Sequence, residues 1–212
     1  MTYARDVVAL ARKDLLLELR ARETLPAMVL FVLATLVAFR FALPAGGSER
    51  ASIGLLWVAI LFTALLGLTR AFVPEREQRV LDGLVLAPVD RSAIWVGKVA
   101  ATLAFLVAAE LVALPAYALF FERLSWETVA AIALADVGIC AVGALLAAMA
   151  AAGRARALLF PLLFLPLAVP ILVGGVGAAV TDEPARYLAF LGLYDAVFAI
   201  LAWASFEYVV TE

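Results

Sequence analysis

Three acidic side chains interrupt the apolar stretches of this sequence, and they are its first candidates for chemistry. Glu110, Asp136 and Asp195 each fall inside a run of hydrophobic residues. An ionisable side chain in such a run is costly to bury, so it marks a functional contact or a polar contact between segments. Two interpretations stay open: a site with a mechanistic role, or hydrogen bonds that only hold helices together.

The residue inventory removes several kinds of site. The 212 residues include no histidine and one cysteine, Cys140. Histidine is the commonest ligand of metals and a usual ligand of haem iron, and a lone cysteine forms neither an intrachain disulfide nor a thiolate cluster. We interpret Cys140 as a small buried hydrophobic residue. We therefore expect no metal site and no cofactor bound directly by this chain.

Nucleotide hydrolysis also lacks its motif. A P-loop needs two glycines at fixed spacing followed by Lys and Ser or Thr, so that backbone amides surround the phosphates. The two lysines, Lys13 and Lys98, are followed by Asp14 and Val99. We predict no catalytic residues here, and any ATP-driven role requires an ATPase on another chain.

The elements that carry these residues follow from composition. Hydrophobic residues make up 67% of the chain and charged residues 16%, against about 45–50% and about 25% in soluble domains. Six apolar stretches approach the roughly 20 residues that span a bilayer. We predict an all-α membrane protein with one domain, 1–212, and six transmembrane helices. The predicted spans are 25–43, 51–69, 99–121, 128–152, 157–180 and 187–210.

Basic residues predict the orientation of the spans. Of the 16 Lys and Arg residues, 12 fall in segments on the same side as the N-terminus, which favours both termini in the cytoplasm. Residues 1–24 show an apolar face from Ala4 to Leu19 and a basic face from Arg5 to Arg20. This pattern is typical of an amphipathic helix at the membrane interface; the alternative is a helix packed on neighbouring protein.

The longest loop lies between the second and third spans and includes a charged, amphipathic stretch, PEREQRVLDGLVLAP, at 74–88. Its apolar residues fall on one face at helical spacing, and Pro88 ends it. Such a helix docks in a groove on a partner or lies on the lipid interface, and physics alone does not separate the two. The candidate docking residues are Glu75, Glu77, Arg79, Val80, Leu81, Asp82, Leu84, Val85 and Pro88.

The fifth predicted span holds three prolines, Pro161, Pro166 and Pro170. Each removes a helical hydrogen bond and is a candidate kink, either static or mobile. The glycines at 174, 175 and 177 allow close helix approach or a re-entrant turn.

The loop resembles a known motif. Residues 75–98, EREQRVLDGLVLAPVDRSAIWVGK, are similar to the cytoplasmic loop of ABC-2-type transporter permeases. The pattern departs from that family at Arg79 and Val80, where Gly and Ser or Thr are usual. The matching residues are Glu75, Leu81, Asp82, Leu84, Pro88, Gly97 and Lys98. The resemblance implies that this stretch is a cytoplasmic coupling helix that meets an ATPase subunit.

A narrower resemblance covers most of the chain. The runs GLLWVAILFTALL at 54–66 and LPLAVPIL at 165–172 are similar to spans of the CcmB family, permease subunits in cytochrome c maturation. The resemblance implies a bacterial inner-membrane complex of the CcmABCD type, with two copies of this chain. It implies ATP on a CcmA-like ATPase, haem on partner subunits, CcmC-like and CcmD-like membrane subunits, and release of the haem chaperone CcmE at the outer face, or haem export.

Two further functions stay open at this point. One is an ABC-2 exporter permease for a lipid, polysaccharide or drug. The other is a membrane scaffold without a transport cycle. None of the three involves nucleic acid, and all three place the chain in a lipid bilayer.

Overall fold

The computed structural model describes residues 3–44, 49–71, 90–152 and 156–211. These residues form seven α-helices and no strand. In chain order the helices are α1 Tyr3–Ala21, α2 Thr24–Ala42, α3 Glu49–Arg70, α4 Arg91–Phe120, α5 Trp126–Ala152, α6 Arg156–Val180 and α7 Pro184–Thr211. The all-helical class predicted from composition is confirmed.

Six of these helices, α2 to α7, are long and apolar enough to cross a membrane. They correspond in order to the six predicted spans, and the chain is a multi-pass membrane protein. The largest difference is at α4, which begins at Arg91 rather than near residue 99. Asp90 caps this helix by accepting a hydrogen bond from the Ser92 amide at 2.9 Å. A helix of 30 residues is about 45 Å long, which exceeds a hydrocarbon core of roughly 30 Å.

The interior of the bundle is built around α5. This helix packs most extensively on α6 and α7, and it also contacts α3 and α4. Its buried face is rich in small residues, among them Ala131, Ala135 and Ala144. Small side chains let helix backbones approach closely, which drives association in a bilayer where the hydrophobic effect between helices is absent. Among the six long apolar helices, α2 and α7 bury the smallest share of their residues.

The start of α1 and the end of α7 lie at one end of the bundle, which we call the terminal end. The hydroxyl of Tyr3, at the start of α1, lies 3.1 Å from that of Ser92. Glu207, near the end of α7, pairs with Arg91 at 3.4 Å. At the opposite end, Tyr117 donates a hydrogen bond to Ser52 at 3.0 Å. The long helices therefore alternate in direction.

The helix with three prolines is continuous. Pro161, Pro166 and Pro170 all lie within α6, which remains helical through the glycines at 174, 175 and 177 to Val180. These glycines serve close packing rather than a re-entrant turn. A β-carbon on Gly175 would overlap the ring of the buried Trp57 on α3. Pro115, within α4, is a further helix-interior proline that the sequence analysis did not single out.

Candidate functional site

A buried lysine joins three elements at the terminal end. Lys98, in the second turn of α4, has only 5% of its side chain exposed. Its ammonium lies 2.8 Å from a carboxylate oxygen of Asp14 on α1. It also donates a hydrogen bond of 2.7 Å to the carbonyl of Ala71, just after α3. We call Lys98, Asp14 and the Ala71 carbonyl the Lys98 cluster.

Helix α1 packs along the start of α4, which is why Asp14 reaches Lys98. Gly97 makes this approach possible, because a β-carbon there would lie 2.9 Å from the β-carbon of Leu10. No residue of α1 is fully buried, and Val8 and Leu19 are 65% and 58% exposed. The contact of α1 with α4 corresponds to one of the two predicted alternatives, packing on neighbouring protein. The exposed apolar side chains leave a lipid-facing surface available as well.

The connection from α1 to α2 is tight. Arg22 adopts the left-handed conformation with φ of 53°, and its amide donates to the Glu18 carbonyl at 2.8 Å as α1 ends. The Glu18 carboxylate accepts hydrogen bonds from the amides of Thr24 and Leu25. Because these amides begin α2 and have no partner within that helix, Glu18 caps α2 from α1. The two helices are thus linked by side chain as well as by backbone.

A cavity of about 420 Å³ adjoins the Lys98 cluster. It lies between α1, α2, α3 and α4, and charged and apolar residues share its lining. Arg70 and Glu23 stand at its edge and form an exposed ion pair at 3.5 Å. Its lining includes Asp14, Glu18, Gly67, Lys98, Thr102 and Phe105.

The predicted coupling helix follows directly from this region in the chain. Residues 74–88, with every docking candidate from Glu75 to Pro88, lie outside the described residues. The residues on either side, Ala71 and Asp90 onward, are described, and Ala71 is held to α4 through Lys98.

Two of the three acidic candidates meet in the interior, and the third packs against the same helix, α5. Glu110 on α4 and Asp136 on α5 place their carboxyl groups within hydrogen-bonding reach of each other. Asp195 on α7 lies against Gly138, half a turn beyond Asp136. All three are buried, with 6%, 1% and 8% exposure. We call Glu110, Asp136 and Asp195 the carboxyl cluster.

The carboxyl cluster is incompletely satisfied. One oxygen of Glu110, one of Asp136 and both of Asp195 lack a hydrogen-bond partner among the described residues. Two ionised carboxylates in contact repel each other, and the repulsion is strong where water is excluded. A proton shared by Glu110 and Asp136 removes that repulsion and supplies the donor that two carboxylates lack.

Sequence reasoning identified each acidic residue, but not the contact of Glu110 with Asp136 or the packing of Asp195 on α5. Glu110, Asp136 and Asp195 stand in three different helices, and no spacing rule connects them. Two further residues near the acidic side chains were not predicted to belong to the same site. Cys140 is fully buried, one turn after Asp136, and lies close to the carboxyl groups of Asp136 and Glu110. Gly138 admits Asp195 to the α5 surface.

The described residues contain no group of three or more His, Cys, Asp or Glu side chains placed to hold a metal ion. The carboxyl cluster therefore lacks the geometry of a metal centre. The arrangement is suited to sharing a proton between Glu110 on α4 and Asp136 on α5.

Comparisons with known proteins cover nearly the whole chain. A profile of the CcmB protein family matches residues 5–208. "Heme exporter protein B" of Paracoccus denitrificans (strain Pd 1222) is 33% identical over 209 residues, which is 93% of this chain and 94% of that protein. The protein of the same name in Bradyrhizobium diazoefficiens is 31% identical over 179 residues, with 81% and 79% covered.

Proposed function

The chain belongs to the CcmB family, and on that premise we propose that it is the permease subunit of a haem-exporting ABC transporter that serves cytochrome c maturation. The match over residues 5–208 carries this proposal, because it extends through the six long apolar helices except for the last residues of α7. Both relatives bear the name of a haem exporter and match most of their own length.

We place the protein in the bacterial inner membrane with the terminal end in the cytoplasm. The 12 of 16 basic residues that fall in segments on that side support this orientation. Helix α1 then lies at the cytoplasmic interface, with the exposed Val8 and Leu19 toward lipid and its packed face on α4. The loop between α3 and α4 is also cytoplasmic.

Energy comes from a separate, CcmA-like ATPase subunit. The chain has no P-loop, so it cannot hydrolyse ATP by that mechanism. Residues 74–88 are the docking element: Val80, Leu81, Leu84 and Val85 supply the apolar contact and the flanking charges fix the register. Two ATPase subunits close on nucleotide, so we infer two copies of this chain in the complex.

Haem is handled mainly by partners. Without histidine, this chain lacks the usual axial ligand, which agrees with haem bound on partner subunits; the expected membrane partners are CcmC-like and CcmD-like. ATP-driven movement then releases the haem-loaded chaperone CcmE at the outer face, or exports haem itself. Within the membrane, the carboxyl cluster and the three prolines of α6 are the candidates for elements that change conformation during this cycle.

Deletion of the protein tests this function. We expect loss of c-type cytochromes and accumulation of unreleased haem-loaded chaperone, both restored by the wild-type copy. Normal cytochrome c and normal chaperone release would overturn the CcmB role. A retained ATPase partner would then favour an ABC-2 exporter of another substrate, and no ATPase partner would favour a scaffold.

A further inference from the structure

The Lys98 cluster joins the two stretches of chain that flank the segment proposed to dock the ATPase. Ala71 lies three residues before that segment begins at Pro74, and Lys98 lies ten residues after it ends at Pro88, within α4. The hydrogen bond of 2.7 Å from the Lys98 ammonium to the Ala71 carbonyl therefore fixes these two flanking stretches relative to each other. The ion pair with Asp14, at 2.8 Å, adds α1 to the same group of contacts.

A buried ion pair is an unusual way to hold helices together. Burying a charge is costly, and apolar side chains of similar size often stabilise as well or better. What an ion pair with an added hydrogen bond supplies is a defined geometry, since the ammonium must satisfy a carboxylate and a carbonyl in fixed directions. The contacts of Lys98 are thus better suited to fixing the relative positions of α1, α4 and Ala71 than to adding stability.

The contacts continue from the Lys98 cluster into the membrane helices. Leu10 packs on Gly97, so α1 follows the start of α4. At its other end, α1 caps α2 through the Glu18 carboxylate. A displacement of Ala71 and Lys98, which adjoin α3 and lie in α4, is therefore passed to α1, and α1 is linked in turn to α2. The cavity of about 420 Å³ beside the cluster, between these same helices, leaves them space to move.

We propose that Lys98 is a positioning residue that passes movement of the docking segment to α1 through Asp14. This inference rests on the proposed function, because it requires an ATPase that moves the segment. It assigns α1 the role of an element that follows the nucleotide-driven movement through a side-chain contact.

The test follows α1 in the purified, ATPase-bound complex. A polarity-sensitive fluorophore is attached at Val8→Cys, an exposed position on α1. Cys140, the one native cysteine, is fully buried and stays unlabelled. The readouts are the amount of bound ATPase and the change in fluorescence when ATP and Mg²⁺ are added.

Lys98→Met is compared with Lys13→Met. Both remove one lysine that pairs with Asp14, but the pair of Lys13, at 3.0 Å, lies within α1 itself. We expect bound ATPase in both variants, a wild-type fluorescence response in Lys13→Met, and loss of the response in Lys98→Met. Asp14→Asn, which keeps the side-chain shape, is expected to lose the response too and replaces Lys98→Met if that variant does not accumulate.

The outcomes separate this inference from the proposed function. A wild-type response in both Lys98→Met and Asp14→Asn, or no response in the wild-type complex, would overturn the role of Lys98 and leave the permease role standing. Loss of the ATPase from Lys98→Met alone would make Lys98 part of the docking surface and also overturn it. Absence of any ATPase from the wild-type protein would defeat the proposed function, and the inference with it.

Discussion

Glu110 of α4 and Asp136 of α5 meet carboxyl to carboxyl in the interior of the bundle, with Asp195 of α7 as the third member of the cluster. Such contact between like groups is unusual, because each needs a hydrogen-bond donor and the other provides one only when protonated. The carboxyl cluster is therefore the place where small side-chain changes are most informative about packing of α4, α5 and α7.

The first prediction separates the hydrogen bond from the charge at Glu110. Glu110→Gln supplies an N–H donor to Asp136 and is expected to retain wild-type stability. Glu110→Ala leaves a buried carboxyl group without its partner and should lower the free energy of unfolding by about 1–3 kcal/mol. The measurement is detergent-induced unfolding of the purified protein, with the exposed Glu207→Gln as the control. Equal destabilisation by Gln and Ala would contradict this account of the pair.

The second prediction concerns the contact between Gly138 and Asp195. A methyl group on Gly138 would overlap the Asp195 carboxyl and touch Ile171 and Tyr194 at 3.4 Å. We expect Gly138→Ala to destabilise by about 1–3 kcal/mol, as overpacking does. Gly192→Ala is the matched control on α7, because nothing lies within 4 Å of its added carbon and alanine favours helix.

A double variant makes the second prediction specific. In Gly138→Ala with Asp195→Ala, the overlapping carboxyl group is gone, so the two effects should be less than additive. Additive effects would show that Asp195 is not what Gly138 accommodates.

The third prediction compares the two lysines beside Asp14. Lys98 is 5% exposed and Lys13 is 33% exposed. Removing one partner of a buried ion pair costs about 3–5 kcal/mol, whereas a more exposed pair contributes about 0–1 kcal/mol. Lys98→Met should therefore unfold at clearly lower denaturant than Lys13→Met. Similar midpoints for the two variants would contradict the burial of Lys98.

The fourth prediction tests the orientation of the bundle. Arg12 on α1 and Trp126 at the start of α5 are both exposed and lie at opposite ends of the alternating helices. A membrane-impermeant maleimide added to intact spheroplasts should label Trp126→Cys and not Arg12→Cys. In lysed spheroplasts both should react. The reverse pattern in intact cells would place the terminal end outside.

Composition and hydrophobic runs were sufficient to predict the helical class and the six spans, because bilayer thickness fixes the length of an apolar helix. The predicted span began at residue 99, whereas α4 begins at Arg91. The stretch from Arg91 to Lys98 includes charged and polar residues, so hydropathy alone assigns it to a loop. Asp90 as a helix cap, with Ser92 two residues later, was the signal that the helix begins earlier.

Contacts between spans were beyond sequence reasoning. Whether Glu110 faces Asp136 depends on how each helix is rotated about its axis and on its depth in the membrane. The residues around each acid are apolar on every side, so the sequence is compatible with many rotations. The same holds for Lys98, whose position in a Gly-Lys pair was noted but whose partners Asp14 and Ala71 are distant in the sequence.

The central claim is that this chain is the membrane partner of a separate ATPase. The most direct measurement is gentle purification of the native complex, with its subunits identified by mass spectrometry, for the wild type and for the double variant Leu81→Asp, Leu84→Asp. Trp126→Asp, at the opposite end of the bundle, is the control for adding charge. We predict a subunit with a P-loop sequence in the wild-type and Trp126→Asp complexes and its loss from the double variant. An ATPase retained at wild-type level in the double variant, or absent from the wild-type complex, would contradict the account.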